Sequence, residues 1–194
     1  MNRKNLLFTS LVWFSLAIAM ALSACISSRD YVVDSDYSYS GNFGDYKTYT
    51  FFNYYKFDED SLVPDQLIKD AIHYRMSLLG YREDDKKPNI LIGYKIFFHD
   101  FKFKGYDQPD LEQWLKDSID IKQVYNPVKY KLMQGTLFIF IVDREKDKAI
   151  WQGYNSGLIN PANINNEKFV KGSVRTIFDK YRVFAEGYIN NASM

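Results

Sequence analysis

His73 and His99 are the only imidazoles in the 194-residue chain, and Cys25 is its only thiol. Neither histidine has a second His or a Cys at ligand spacing, so histidine- or cysteine-based metal binding is not expected. His73 follows Ile72 in a helical pattern and reads as a helix-flank residue. His99 and Asp100 are adjacent, so on a strand their side chains point to opposite faces, which disfavours a catalytic pair. Asp34 and Asp36 share one strand face, where two carboxylates can bind a cation or share a proton. A solvated strand edge or a turn cap is the simpler reading. No nucleophile elbow is present. Gly41-Asn42-Phe43-Gly44 is not a phosphate loop, because Lys47-Thr48 comes late and opens a strand. One group of residues is left: Phe97, Phe98, Phe101, Phe103, Tyr106 and Trp114 crowd a single stretch. They suit a face for a protein partner or an apolar ligand, with core packing as the competing use.

The composition removes further classes. Lys plus Arg number 25 and Asp plus Glu 24, so there is no electrostatic reason to expect nucleic acid. Hydrophobic residues make up 46%, enough for one packed core and too many for a disordered chain. A single cysteine excludes an internal disulfide. The expected molecule has no cofactor.

The thiol carries the clearest chemistry. Arg3 and Lys4 give a positive start, an apolar run extends from Leu6 to Leu22, and Ser23 and Ala24 are small. That is the order of a secretory signal. A transmembrane helix is the alternative, because about 17 residues is the lower limit for spanning a bilayer. Leu22-Ser23-Ala24-Cys25 resembles the lipobox of bacterial lipoproteins. The resemblance implies a diacylglyceryl group on the Cys25 sulfur, cleavage before Cys25 and acylation of the new amine. It divides the chain into a signal peptide at 1–24, a lipidated tether at 25–30 and one domain at 31–194. Ile26 stands where enteric lipoproteins kept at the inner membrane have Asp, so the outer membrane is expected. Ser27, Ser28, Arg29 and Asp30 lack an acidic export run, so the domain is expected to face the periplasm. Five tether residues reach under roughly 20 Å, which keeps the domain near the bilayer. The near-neutral charge offers no polybasic help with attachment.

The elements that would position these residues follow from periodicity. Residues 30–37 and 46–52 read as strands, with Gly41, Asn42 and Gly44 as the turn between them. Pro64 opens a helix that Ser61 or Asp60 would cap, and Gly80 ends it. Leu67, Ile68, Ala71, Ile72, Met76, Leu78 and Leu79 form its apolar face. Residues 89–103 read as one long strand, with Ile90, Ile92, Tyr94, Ile96 and Phe98 on one side. Lys95, Phe97, His99, Phe101 and Phe103 fall on the other side, and Gly93 marks a bulge. An insert at 104–133 holds a short helix near Trp114 and a strand at 119–130 interrupted at Pro127. Residues 135–142 and 148–156 form a strand pair around the charged turn 143–147. Asn165 or Asn166 caps a last helix with the stripe Val170, Val174, Ile177, Phe178 and Tyr181. The expected fold is α+β: a mostly antiparallel sheet of about five strands, with two helices on one face. The second face of the long strand is then apolar and needs a cover.

Several of these segments are similar to the bacterial lipoproteins of domain-of-unknown-function family 4136. They are Asp34-Ser35-Asp36-Tyr37, Phe43-Gly44-Asp45-Tyr46-Lys47-Thr48-Tyr49, Leu78-Leu79-Gly80-Tyr81, Asn89-Ile90-Leu91-Ile92-Gly93-Tyr94, Gly135-Thr136-Leu137, Val142-Asp143 and Ile150-Trp151-Gln152-Gly153. The resemblance implies the α+β fold and an envelope location. The usual proline after the last helix is replaced by Tyr181-Arg182-Val183-Phe184. Together these features lead to an expectation of a lipid-anchored, non-enzymatic docking module for an envelope protein partner. Phe97, Phe101, Phe103, Tyr106 and Trp114 are its candidate contact face. A carrier of an apolar ligand is the alternative.

Overall fold

The structure is a computed structural model, and it describes residues 32–52, 64–108, 111–116 and 126–185. The chain divides into two units, Met1–Asp30 and Tyr31–Met194. The Cys25 thiol and the apolar run before it lie outside the described residues. No helix among the described residues is long and apolar enough to cross a membrane.

Strands β1 (Val33–Tyr37), β2 (Thr48–Phe51), β3 (Arg82–Glu83), β4 (Ile90–Phe97), β7 (Thr136–Asp143) and β8 (Lys148–Asn155) form one sheet. Its order is β1-β8-β7-β4-β2-β3. The pairs β1–β8, β8–β7 and β7–β4 are antiparallel, whereas β2 is parallel to both β3 and β4. The parallel part follows from the helix α1 (Asp65–Leu78) lying between β2 and β3. A strand-helix-strand path returns the chain in the same direction. A separate two-stranded sheet pairs β5 (Phe101–Asp107) with β6 (Asn126–Leu132). The fold is α+β, with six strands in the main sheet instead of about five.

Both long helices share one face of the sheet. From α1, Ile68, Ala71, Ile72 and Met76 are buried. From α3 (Glu167–Phe178), Val170, Val174, Ile177 and Phe178 are buried. They meet Ile90, Ile92, Leu137, Ile139, Ile141 and Trp151 from alternate positions of β4, β7 and β8. Asn166 caps α3, its side chain accepting from the Lys168 and Phe169 amides. Pro64 precedes α1 with no side-chain cap, and Ser61 and Asp60 lie outside the described residues. Gly80 adopts a φ of 82°, the left-handed stop expected there. Leu78 departs from the expected stripe: it is 55% exposed, because it sits about a third of a turn off the line through Ile72, Met76 and Leu79.

The long strand expected at 89–103 is two strands in two sheets. The backbone bends at residues 98–100, and the Asp100 carboxylate fixes the bend by accepting from the Gln134 amide at 2.8 Å. After it, β5 turns over the second face of the main sheet and pairs with β6. Nor does Gly93 mark a bulge. It pairs regularly with Phe140, and the irregularity lies at Ile141/Val142. A Cβ on Gly93 would sit 2.2 Å from the Phe140 ring, so the glycine makes room for that ring.

The charged turn at 143–147 is built on Asp143. Its carboxylate accepts from the Glu145 and Lys146 amides and from the Tyr46 hydroxyl, the last at 2.7 Å. Burial pushes the carboxyl up, but these donors and the Lys146 charge outweigh it and hold it below the usual range. Asp84 plays the same part in the loop before β4. The Lys87 and Lys86 amides lower its pKa, and its carboxylate holds the loop.

Candidate functional site

The second face of the sheet is aromatic because β7, β8 and β4 alternate. Leu137, Ile139 and Ile141 point to the helices, so Phe138 and Phe140 point away. Tyr154 of β8 lies opposite Phe138, with the two rings parallel within 4° and 6.3 Å apart. The β5–β6 hairpin lays its own alternate residues on this surface. Phe101 packs on Phe97 at 4.1 Å, and Phe103 meets Phe138 at 5.8 Å and Tyr154 at 5.9 Å. Tyr130 of β6 meets Tyr154 at 6.1 Å. The insert therefore supplies part of the cover that the apolar second face requires.

The candidate aromatic residues separate into two places. Phe97, Phe101 and Phe103 come together between hairpin and sheet. Trp114 does not join them. It lies on α2 (Leu111–Lys116) and packs against Tyr37 at 5.1 Å, Tyr39 at 5.2 Å and Phe43 at 6.0 Å. Phe43 continues to Tyr181, so Trp114 belongs with the helix-side core. The Tyr106 side chain lies outside the described residues. Phe98 is half-buried against the main core.

Away from the hairpin, an apolar strip is left on the second face. Phe140 and Phe52 are 5.8 Å apart, and Leu91 precedes Gly93 on the same face of β4. All three are half-buried.

Polar groups rim the other end of this face. Asp34 and Asp36 share it, as expected, next to Gln152 and Tyr154 across the β1–β8 pairing. Asp34 accepts from the Ser35 amide at 2.8 Å, and Asp36 accepts from the Gln152 side chain at 3.2 Å. The second Asp36 oxygen and the Tyr154 hydroxyl are buried without a hydrogen-bond partner among the described residues. Burial raises the Asp36 pKa, with the Asp34 charge adding to it and the Gln152 bond opposing it. A carboxyl with a raised folded pKa contributes stability that is full below its unfolded pKa, about 3.9. That contribution is lost as pH rises through the folded value. Asp36→Asn is therefore expected to stabilise the protein by roughly 0.5–1 kcal/mol at pH 7. The gain should vanish below about pH 3.5. Paired urea titrations at the two pH values check this, and an equal difference at both would contradict it.

A second polar group went unrecognised in the sequence. His73 Nδ1 lies 2.7 Å from the Tyr49 hydroxyl and 3.2 Å from a Glu83 oxygen. The three come from α1, β2 and β3, and the His73 and Glu83 side chains border an open cleft also lined by Thr50, Gln66, Lys69, Asp70 and Asp85, with Tyr49 buried behind them. Burial, with the nearby Glu83 charge, raises the Tyr49 pKa well above its ordinary value. The residues are 24 and 10 positions from His73, and only the parallel β2–β3 pairing joins them. The Tyr49 hydroxyl and the Glu83 carboxylate thus converge on one imidazole nitrogen. His99 has no such arrangement, being exposed at the bend. No group of three His, Cys, Asp or Glu side chains among the described residues can hold a metal ion.

Three solved structures are similar in fold. A DUF4136 family protein from Bacteroides thetaiotaomicron aligns with a TM-score of 0.50 and 17% identity, over 79% of this chain and 97% of its own. A PDZ domain protein from Parabacteroides distasonis aligns at 0.45 and 17% identity, over 78% of this chain and 36% of its own. A PelC dodecamer from Paraburkholderia phytofirmans aligns at 0.39 and 7% identity, over 79% of this chain and 98% of its own. A comparison with curated proteins finds no match. The family model DUF4136, a domain of unknown function, matches residues 33–181, from the first strand to the tyrosine that closes the helix-side core, and the chain belongs to that family.

Proposed function

We propose that this DUF4136 chain is a lipid-anchored protein of the bacterial outer membrane that faces the periplasm and docks an envelope protein without catalysis. The observation that carries the docking part is the strip of Phe52, Leu91 and Phe140, half-buried on the second face away from the hairpin. Apolar side chains at such a position gain from a partner that removes them from water. The anchor rests on the signal-like start and on Cys25 behind Leu22-Ser23-Ala24.

A carrier of an apolar ligand would need an enclosed apolar space beside Phe98, Phe101 and Phe103. The rings of Phe97, Phe101, Phe103 and Phe138 instead contact one another and occupy that space. An enzyme centred on His99 would need a carboxylate facing it. The adjacent carboxylate, Asp100, is engaged by the Gln134 amide.

A photo-crosslinking residue at Leu91 tests the docking reading. It is expected to give one discrete adduct in cells, lost when Phe140 is replaced by Ser in a chain that still folds. The same label at exposed Lys86 should give none. Adducts at both positions, or at neither, would contradict it.

A further inference from the structure

The sheet register places four lysines together that the sequence keeps apart. In the β5–β6 hairpin, Lys102 lies opposite Lys131 and Lys104 opposite Lys129. Phe101, Phe103 and Tyr130 face the main sheet, so all four lysines project from the outer side, and all are exposed. Directly paired residues have Cβ atoms about 4.5–5.5 Å apart, and like charges so placed disfavour the pairing. None of the four forms an ion pair among the described residues. Among the described residues this is a dense basic patch, although the net charge of the chain is only +1.

An apolar corner adjoins this patch. The Met133 amide donates to the Ser156 hydroxyl at 2.7 Å, and the Ser156 amide donates to the Val32 carbonyl at 2.9 Å. Met133 follows the end of β6, and Val32 precedes β1. Their side chains are 41% and 44% exposed, among the few large apolar residues left open to solvent. Val32 is also where the chain arrives from Cys25, seven residues earlier. Seven residues span at most about 25 Å. Basic side chains beside exposed apolar ones, close to a lipid attachment point, match the chemistry of a bilayer surface.

We propose that the outer face of the β5–β6 hairpin rests on anionic lipid headgroups, with Lys102, Lys104, Lys129 and Lys131 on the phosphates and Val32 and Met133 at the interface. This rests on the reading of Cys25 as a lipid anchor, which holds the hairpin within reach of the membrane. The sheet's apolar strip is then left to the protein partner.

The test uses the full native chain mixed with two kinds of vesicle: phosphatidylcholine alone, and phosphatidylcholine with a third replaced by phosphatidylglycerol. Flotation on the first kind reads the anchor by itself, because those vesicles carry no net charge. Acetylation of individual lysines by a water-soluble reagent, read by mass spectrometry, reports the hairpin. The four lysines should react at least roughly fivefold more slowly on the anionic vesicles. Lys86 and Lys87 should be unaffected, and added salt should remove the difference. Equal labelling on both vesicles would overturn the proposal while flotation leaves the anchor intact. Protection by a soluble acidic protein or polyanion, with no effect of phosphatidylglycerol, would overturn the lipid assignment. A chain that floats only with anionic vesicles would keep the hairpin surface and remove the anchor. A chain that floats with neither would remove both.

Discussion

Trp151→Ala is expected to destabilise the protein by about 3–5 kcal/mol, the range for removing a fully buried large aromatic. Trp151 is 1% exposed and stands on β8, opposite Tyr37 on one side and Ile141 on the other. Its ring lies 5.0 Å from Tyr181 and 6.0 Å from Phe178. It therefore joins the sheet to α3 and to the segment after it. The backbone on both sides is held in paired strands, so the space left by alanine cannot close well. Domains of ordinary stability hold only about 5–15 kcal/mol in total. A melting temperature lower by roughly 6–20 °C is expected for a domain of this size. The indole N–H has no hydrogen-bond partner among the described residues. Trp151→Phe should therefore recover most of the loss, since it refills volume and removes an unpaired donor. Thermal melts of the three proteins check the pair of effects. Equal losses for Phe and Ala would show that the indole nitrogen matters more than the volume.

Cys25→Ser is expected to abolish lipid attachment and cleavage together. A serine hydroxyl is far less nucleophilic than a thiolate, so the diacylglyceryl transfer has no sulfur to act on. The lipobox-like reading makes cleavage depend on that transfer. The variant should carry residues 1–24 and take up no fatty-acid label, whereas the parent chain should be shortened and labelled. Gel mobility and metabolic labelling with an alkyne fatty acid read both properties in one experiment. A labelled or normally shortened variant would contradict the mechanism. The folded domain should melt as before, because the sheet-and-helix core described above is built from residues between Tyr37 and Ala185.

The sequence was most informative where local chemistry and tertiary packing agree. Asn166 before an apolar stripe, Gly80 after one, and the β-branched and aromatic run in 135–142 each report a single element, and each element is there. The two helices fell on one face because each has one stripe to bury. What was hidden depends on contacts between distant segments. The alternation of Lys95, Phe97, Phe101 and Phe103 runs through the bend at 98–100 without a glycine or proline to interrupt it. One strand and two strands look alike there. Phe101-Lys102-Phe103-Lys104 and Val128-Lys129-Tyr130-Lys131 each read as an ordinary half-exposed strand, and only their register makes a basic patch. The balanced total charge concealed it further. Trp114 lay close to Phe103 in sequence, yet α2 carries it to Tyr37 and Phe43. His73 seemed isolated because Tyr49 and Glu83 reach it only through the parallel edge of the sheet.

The site candidates differ for the same reason. The lipid site proposed at Cys25 can be argued from sequence alone, because its chemistry requires only neighbours in the chain. A docking face or a charged surface requires the sheet to be assembled first. The docking, anchoring and headgroup readings use neighbouring parts of one face: the outer lysines of the hairpin for lipid headgroups, and the apolar strip farther along the sheet for a protein.

Intact-mass spectrometry of the native chain, extracted from its own membranes, tests the central claim most directly. The account expects a polypeptide that begins at residue 25 and carries diacylglyceryl on the Cys25 sulfur, with an acyl group on its amine. A chain that retains residues 1–24 and a free thiol would contradict it.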